Sequence, residues 1–171
     1  MGWLALGILS QAQSQKFDRK QQENTMKVQA LGHAVLNVRD LARSEQFYQG
    51  ILGIPVVARS PVLGGMTFFS LGNHHDLAIH QAESEQAHDW MKDTGLFHLA
   101  FKVGDSLAEL RAAKEHLEAA GVPIELVADH DVTCSVYLRD PDGNGVELYV
   151  DTSDSWKTNP DTVASFQPLQ L

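Results

Sequence analysis

Apolar and polar positions between residues 28 and 151 follow a rhythm that occurs twice. The run Leu31-Gly-His33-Ala-Val-Leu-Asn-Val38, followed by Arg39-Asp40, has the shape of Leu96-Phe-His98-Leu-Ala-Phe-Lys-Val103, followed by Gly104-Asp105. Each run is strand-like, each carries a histidine at the same place, and such self-similarity marks an internal repeat. After each strand the period lengthens. Leu41, Phe47, Tyr48 and Ile51 over residues 41–52, and Leu107, Leu110 and Leu117 over residues 107–120, recur at helical intervals. Ser106-Leu-Ala-Glu109 has the form of a capping box, and Asp40 can cap the earlier helix. Both helical runs end at a glycine suited to the left-handed position that closes a helix and then continue into X-Pro, as Gly53-Ile-Pro55 and Gly121-Val-Pro123.

Short apolar or alternating runs follow at residues 54–59, 66–71 and 75–81, and again at 123–127, 133–139 and 145–150. Each copy therefore reads strand, helix, strand, strand, strand. The pattern predicts an α+β fold of two tandem βαβββ modules, residues 28–82 and 95–151, within a single domain spanning 26–151. One module alone leaves a sheet face bare, so the two are expected to form a curved mixed sheet around a cavity lined by both. Residues 82–94, with Glu83, Glu85, His88 and Asp89, read as a polar linker with room for a short helix. Residues 152–171, with Pro160 and Pro168 and no clear period, read as a strap or a partly disordered end. Residues 1–25 open on an apolar run with no Lys or Arg before it and turn Gln-rich, a weak match to a secretory signal. They are expected to be a disordered leader, or the result of an upstream start with Met26 the natural one.

Composition narrows the function. A length of 171 residues and a mass of 18.8 kDa suit one domain. The net charge of −9 makes nucleic acid a poor partner. No apolar run approaches the roughly 18 residues needed to span a bilayer, so no membrane partner is expected. The single cysteine, Cys134, excludes an intramolecular disulfide and a Cys-only metal site, and fits a reducing, cytoplasmic setting. A homodimer stays open, because paired repeats can be exchanged between two chains.

The eight histidines are not scattered. His33 and His98 hold equivalent positions in the two repeats. In Val146-Glu147-Leu148-Tyr149-Val150 the alternation puts the apolar side chains against the helices and turns Glu147 inward. An inward carboxylate is costly unless it is paired or bound to a cation. A lone strand histidine is usually a hydrogen-bonded core residue and a lone inward glutamate usually finds an arginine. Two equivalent histidines with one carboxylate are instead the ligand set of the facial triad that holds iron(II) with open positions.

These residues resemble the vicinal oxygen chelate superfamily, which includes glyoxalase I, fosfomycin- and bleomycin-resistance proteins and type I extradiol dioxygenases. The resemblance covers about residues 29–151. Its most specific stretch, Asp129-His130-Asp-Val-Thr-Cys-Ser-Val-Tyr137-Leu-Arg-Asp140-Pro-Asp-Gly-Asn144-Gly-Val-Glu147-Leu-Tyr149, is similar to the catechol 2,3-dioxygenase branch. Within it, Asp140-Pro-Asp-Gly-Asn144 alone is a chain-reversing turn that supports the fold and not an activity. The resemblance implies an extradiol ring-cleaving dioxygenase acting on a catecholic substrate and dioxygen. It implies Fe(2+) held by His33, His98 and Glu147, with Mn(2+), Zn(2+) or Ni(2+) as alternatives. It assigns proton transfer to His75, in His75-Asp76-Leu77-Ala78, and contacts near the ring hydroxyls to His130 and Tyr137.

The sequence also departs from the pattern. Ala78 stands about where four-ligand isomerase members carry a glutamate, His80 offers a possible fourth ligand, and the second pair of repeats found in larger extradiol enzymes is absent. Two rival functions follow from the same superfamily: a glyoxalase-like isomerase or thiol transferase using another divalent metal, and a metal-free protein that sequesters an antibiotic. His74, His88 and His116 read as surface residues, Cys134 as a small buried side chain, and Phe68, Phe69, Trp90 and Trp156 as core or cavity wall. Arg39-Asp40 and Arg139-Asp140 read as local caps and turn charges.

Overall fold

The computed structural model describes residues 26–84, 86, 92 and 94–171. The leader over residues 1–25, the expected short helix of the linker, His88 and Trp90 lie outside the described residues. The chain divides into Met1–Gly32 and His33–Leu171. In the first unit, residues 26–32 are exposed and carry no regular secondary structure.

The second unit holds the two modules. In the first, β1 (Ala34–Val38) leads to helix α1 (Leu41–Glu45) and then to β2 (Val56–Ser60), β3 (Met66–Phe69) and β4 (Leu77–Gln81). In the second, β5 (His98–Gly104) leads to α2 (Leu107–Ala119), β6 (Ile124–Asp129), β7 (Thr133–Arg139) and β8 (Gly145–Asp151). Two mixed sheets result, with strand orders β1-β4-β3-β2 and β5-β8-β7-β6. In each, the first and last strands of the module run parallel at one edge. The caps form as the sequence requires: Asp40 Oδ1 accepts from the Arg43 amide at 3.0 Å, and Ser106 Oγ accepts from the Glu109 amide at 3.3 Å. Gly53 and Gly121 both adopt φ +73°, the left-handed stop.

Three local features differ from the sequence reading. The helix expected over 41–52 is α-helical only to Glu45 and continues as a π-helical turn, Gln46–Ile51. The wider turn buries Phe47 and Tyr48 together, and Gly50 sits where a Cβ would collide with the Gln46 side chain. The run 75–81 becomes strand only from Leu77, so His75 and Asp76 lie in the preceding turn. The tail is ordered. After short 3-10 turns at Ser155–Lys157 and Pro160–Ala164 it adds β9 (Gln167–Pro168) to the free edge of β6.

One face of each sheet packs into a shared core. Val38, Phe69 and Ile79 from the first module and Leu110, Val136 and Val150 from the second are all buried within it. The turn before β8 fastens the modules together. The Tyr48 hydroxyl donates to Asp140 Oδ2 at 2.9 Å, and Asp142 accepts from Arg39 Nε at 2.6 Å and from Arg43 Nη2 at 3.0 Å. Arg39 and Asp140 therefore join distant elements and are not only local turn charges. His116 likewise bonds the Ile51 carbonyl at 2.9 Å, reaching from α2 to the first module. The opposite face of each sheet stays open: His33, Val35 and Asn37 are exposed on the first, and Ala100 and Leu126 on the second.

Candidate metal centre

The open face of the second sheet is built by register. β5 and β8 pair in parallel with His98 opposite Gly145 and Ala100 opposite Glu147, so His98 and Glu147 point from the same face. Gly145 permits this. A Cβ there would run into the Phe97 carbonyl and stand 2.9 Å from His98 Cβ. Across the antiparallel ladder Tyr137 faces Glu147, and Ser135 lies one pleat further on the same face.

Glu147 is only 8% exposed. Its Oε1 accepts from Ser135 Oγ at 2.6 Å, and its Oε2 stands 3.0 Å from His98 Nε2. Two ligand atoms bonded to one ion at about 2.1 Å stand roughly 3 Å apart when adjacent in an octahedral shell. The pair thus has the spacing of one edge of such a shell. His98 Nδ1 is buried with no hydrogen-bond partner among the described residues.

Beside the pair lies a second assembly. His130 Nδ1 is 2.8 Å from the Ser165 carbonyl, and its Nε2 is 2.8 Å from the Tyr137 hydroxyl. A carbonyl only accepts, so His130 Nδ1 donates to it, while the Tyr137 hydroxyl lies in hydrogen-bonding contact with both His130 Nε2 and Glu147. Burial first, and then the negative charge of Glu147, hold that phenol protonated, its pKa pushed up to about 12. His98, His130, Tyr137, Phe97, Leu126 and Phe166 border a largely apolar cavity of about 840 Å³. Phe166 and Ser165 come from the tail, so the strap forms part of the site.

The open face of the first sheet carries the remaining histidines. Among the described residues, the group of three with all ligating atoms within 4.8 Å of one another is His33, His74 and His75. The His75 ring lies 4.1 Å from that of His33 and 5.3 Å from that of Phe68, centroid to centroid. The pKa of His75 is lowered, first by partial desolvation and then by the neighbouring His33 and His74. His80 Nδ1 bonds Asn37 Oδ1 at 2.8 Å on the same sheet.

The structure thus brings His98, Glu147, His130 and Tyr137 together on one sheet and groups His33 with His75 on the other; His33 does not join His98 and Glu147 in a three-ligand group. Ser135, Gly145 and Ser165 escaped the sequence reading. Serine and glycine are too common in strands and tails to carry a signal of their own, although Ser135 and Tyr137 stand two residues apart and so share one strand face. Cys134 is buried, as read, and Phe69 belongs to the core. Trp156 is 47% exposed with Lys157 over its ring.

Known proteins share this architecture. The model of the Glyoxalase/Bleomycin resistance protein/Dioxygenase superfamily matches residues 30–148. A catechol-2,3-dioxygenase of Bacillus subtilis is 35% identical over 121 residues, covering 71% of this chain and 41% of that protein. A biphenyl-2,3-diol 1,2-dioxygenase of Rhodococcus globerulus is 34% identical over 122 residues, covering 71% of this chain and 63% of that protein. The chain thus spans less than two thirds of the length of either relative. Among solved structures, a point mutant of the fosfomycin resistance protein FosX from Listeria monocytogenes, complexed with Mn(II) and a dihydroxypropylphosphonic acid, aligns with a TM-score of 0.60 at 22% identity. That alignment covers 75% of this chain and 98% of the FosX chain.

Proposed function

The chain belongs to the glyoxalase/bleomycin resistance protein/dioxygenase superfamily, and from that premise we propose that it is an extradiol-type dioxygenase acting on a catecholic substrate with Fe(2+). The observation that carries the reading is the His98–Glu147 pair, 3.0 Å apart and adjacent to the Tyr137–His130 hydrogen bond at the edge of an apolar cavity. An imidazole and a carboxylate suit iron(II), and the two dioxygenase relatives argue for that metal over manganese, zinc or nickel. His33 is the third ligand in this reading. Because it stands on the other sheet beside His74 and His75, it is assigned to the His98–Glu147 pair of a second copy in a homodimer. The first-module face of one chain then covers the second-module face of the other.

When bound, the ion supplies vacant positions for the two adjacent substrate oxygens and for dioxygen. The remaining work falls to the chain. Ser135 holds Glu147 Oε1 so that Oε2 stays directed at the site. Tyr137 and His130 present a hydrogen-bonding edge to the substrate oxygens, while Leu126, Phe97 and Phe166 offer apolar surface to the ring. His75, which reaches the site with His33, takes up a phenolic proton and later returns one, a role that suits an imidazole near neutral pH.

Anaerobic loading with Fe(2+), followed by dioxygen uptake across a panel of catechols, tests the reading. Uptake with formation of a ring-cleaved product is expected. Glu147→Gln should lose iron and activity together, whereas His75→Phe should retain iron and lose roughly 10²–10⁴-fold in turnover. Metal binding without dioxygen uptake would favour the isomerase or transferase reading, and no metal binding would favour the sequestering protein.

A further inference from the structure

We propose that Phe166, in the C-terminal tail, is a specificity-determining residue of the cavity beside His98 and selects catechols that carry a bulky, uncharged apolar substituent. The inference rests on the dioxygenase reading for the catechol and goes beyond it for the substituent. The match to the superfamily ends at residue 148, so the tail that supplies Phe166 lies outside the shared stretch.

The tail grips the turn that bears His130 from both of its ends. At its start Thr152 Oγ1 and Ser153 Oγ donate to the Asp131 carbonyl at 3.0 and 3.2 Å. Further on, the Ser165 carbonyl accepts from His130 Nδ1 at 2.8 Å. Gln167 and Pro168 then pair with Asp129 and Ala128, and the Leu169 amide donates to the Val127 carbonyl at 3.0 Å. Both chain neighbours of Phe166 are therefore held in place. Leu169 and Leu171 pack against the core, whereas Phe166 borders the cavity and stays 50% exposed, its ring 5.7 Å from that of His130. An aromatic side chain fixed at both flanks yet half bare offers a preformed contact to an apolar ligand.

Size and charge narrow the ligand. A benzene ring fits within roughly 150 Å³. The cavity of about 840 Å³ thus has room for more than a catechol ring set against His130 and Tyr137. The opposite charges on its border are turned on each other, with Arg139 Nη2 standing 2.8 Å from Glu125 Oε2. A carboxylate on the substrate would shed its water there only to meet an arginine already held by Glu125, so an uncharged substituent is favoured.

The test titrates the full chain, Phe166→Ala and Phe166→Gln by calorimetry under argon, with and without Fe(2+). The ligands are catechol, a phenyl-substituted catechol and a carboxylated catechol, and steady-state kinetics with dioxygen follow for the same three. The unaltered chain is expected to bind the phenyl-substituted compound tightest. Phe166→Ala should cut its preference for that compound over catechol about tenfold, as loss of an apolar contact of this size implies. The change should fall on Kd and KM rather than on kcat, the mark of binding made equally in ground and transition states. Should Phe166→Ala fail to fold, Phe166→Gln decides, with a loss of preference in the same direction. An equal change for all three compounds would make Phe166 a structural part of the tail and overturn the proposal. Tightest binding of the carboxylated compound by the unaltered chain would overturn it too. Selective binding that depends on Phe166, without dioxygen uptake, would uphold the specificity residue and sink the dioxygenase reading. Uptake with an unchanged preference in both variants would do the reverse, and a chain that binds none of the catechols would overturn both.

Discussion

Tyr48 is fully buried with its hydroxyl on Asp140, a contact between side chains far apart in sequence. Burial first, and then the Asp140 charge, raise its pKa well above the ordinary phenol value. In the unfolded chain the phenol loses its proton near pH 10, while the folded chain retains it. Its contribution to stability is therefore complete below about pH 10 and is lost as pH rises through the higher folded value. Tyr48→Phe should cost about 1–3 kcal/mol at neutral pH, because the buried Asp140 loses a donor, and should shallow the alkaline fall in stability. Denaturant unfolding at neutral pH and above pH 10 checks both. At this scale the sequence was informative where side-chain alternation decides the outcome: along β8 it turns Glu147 inward, to the face where His98 also stands. It was silent where the partner is chosen by tertiary contact, as with Ser135 on Glu147 and the Ser165 carbonyl on His130.

Among the elements, the repeat made most of the fold legible. Two capped helices, two left-handed glycine stops and three strands after each helix are local signals that agree with one another. The π-helical turn at Gln46–Ile51 was not legible, because it answers to the burial of Phe47 and Tyr48 against the rest of the chain. Nor was β9, whose partner edge on β6 exists only once the second sheet has formed. Gly145 shows the same limit, since nothing nearby in sequence reveals that His98 lies against it. Gly145→Ala should push the start of β5 away and weaken Fe(2+) binding roughly tenfold or more, since supporting residues of a metal site commonly carry effects of that size. Anaerobic iron titration of the variant checks this, and unchanged affinity would separate Gly145 from the centre.

For the whole molecule, the two repeats share one core yet leave a histidine-bearing face open on each sheet. The sequence predicted a cavity enclosed by both modules. The cavity beside His98 is lined by second-module and tail residues, with His33 grouped elsewhere. If two copies complete each other's centres, mixing inactive His33→Ala and Glu147→Gln chains should restore about a quarter of full activity, because half the dimers are mixed and each holds one intact site. A centre contained in one chain would give none. No helix among the described residues is long and apolar enough to cross a membrane. The most direct test of the metal centre is an anomalous-scattering map recorded at the iron edge from crystals loaded with Fe(2+) under anaerobic conditions. The account predicts one peak per chain, bonded to His98 Nε2 and Glu147 Oε2, with His33 of a second copy as the third protein ligand. A map with no peak at that pair, or with iron bound without Glu147, would contradict it.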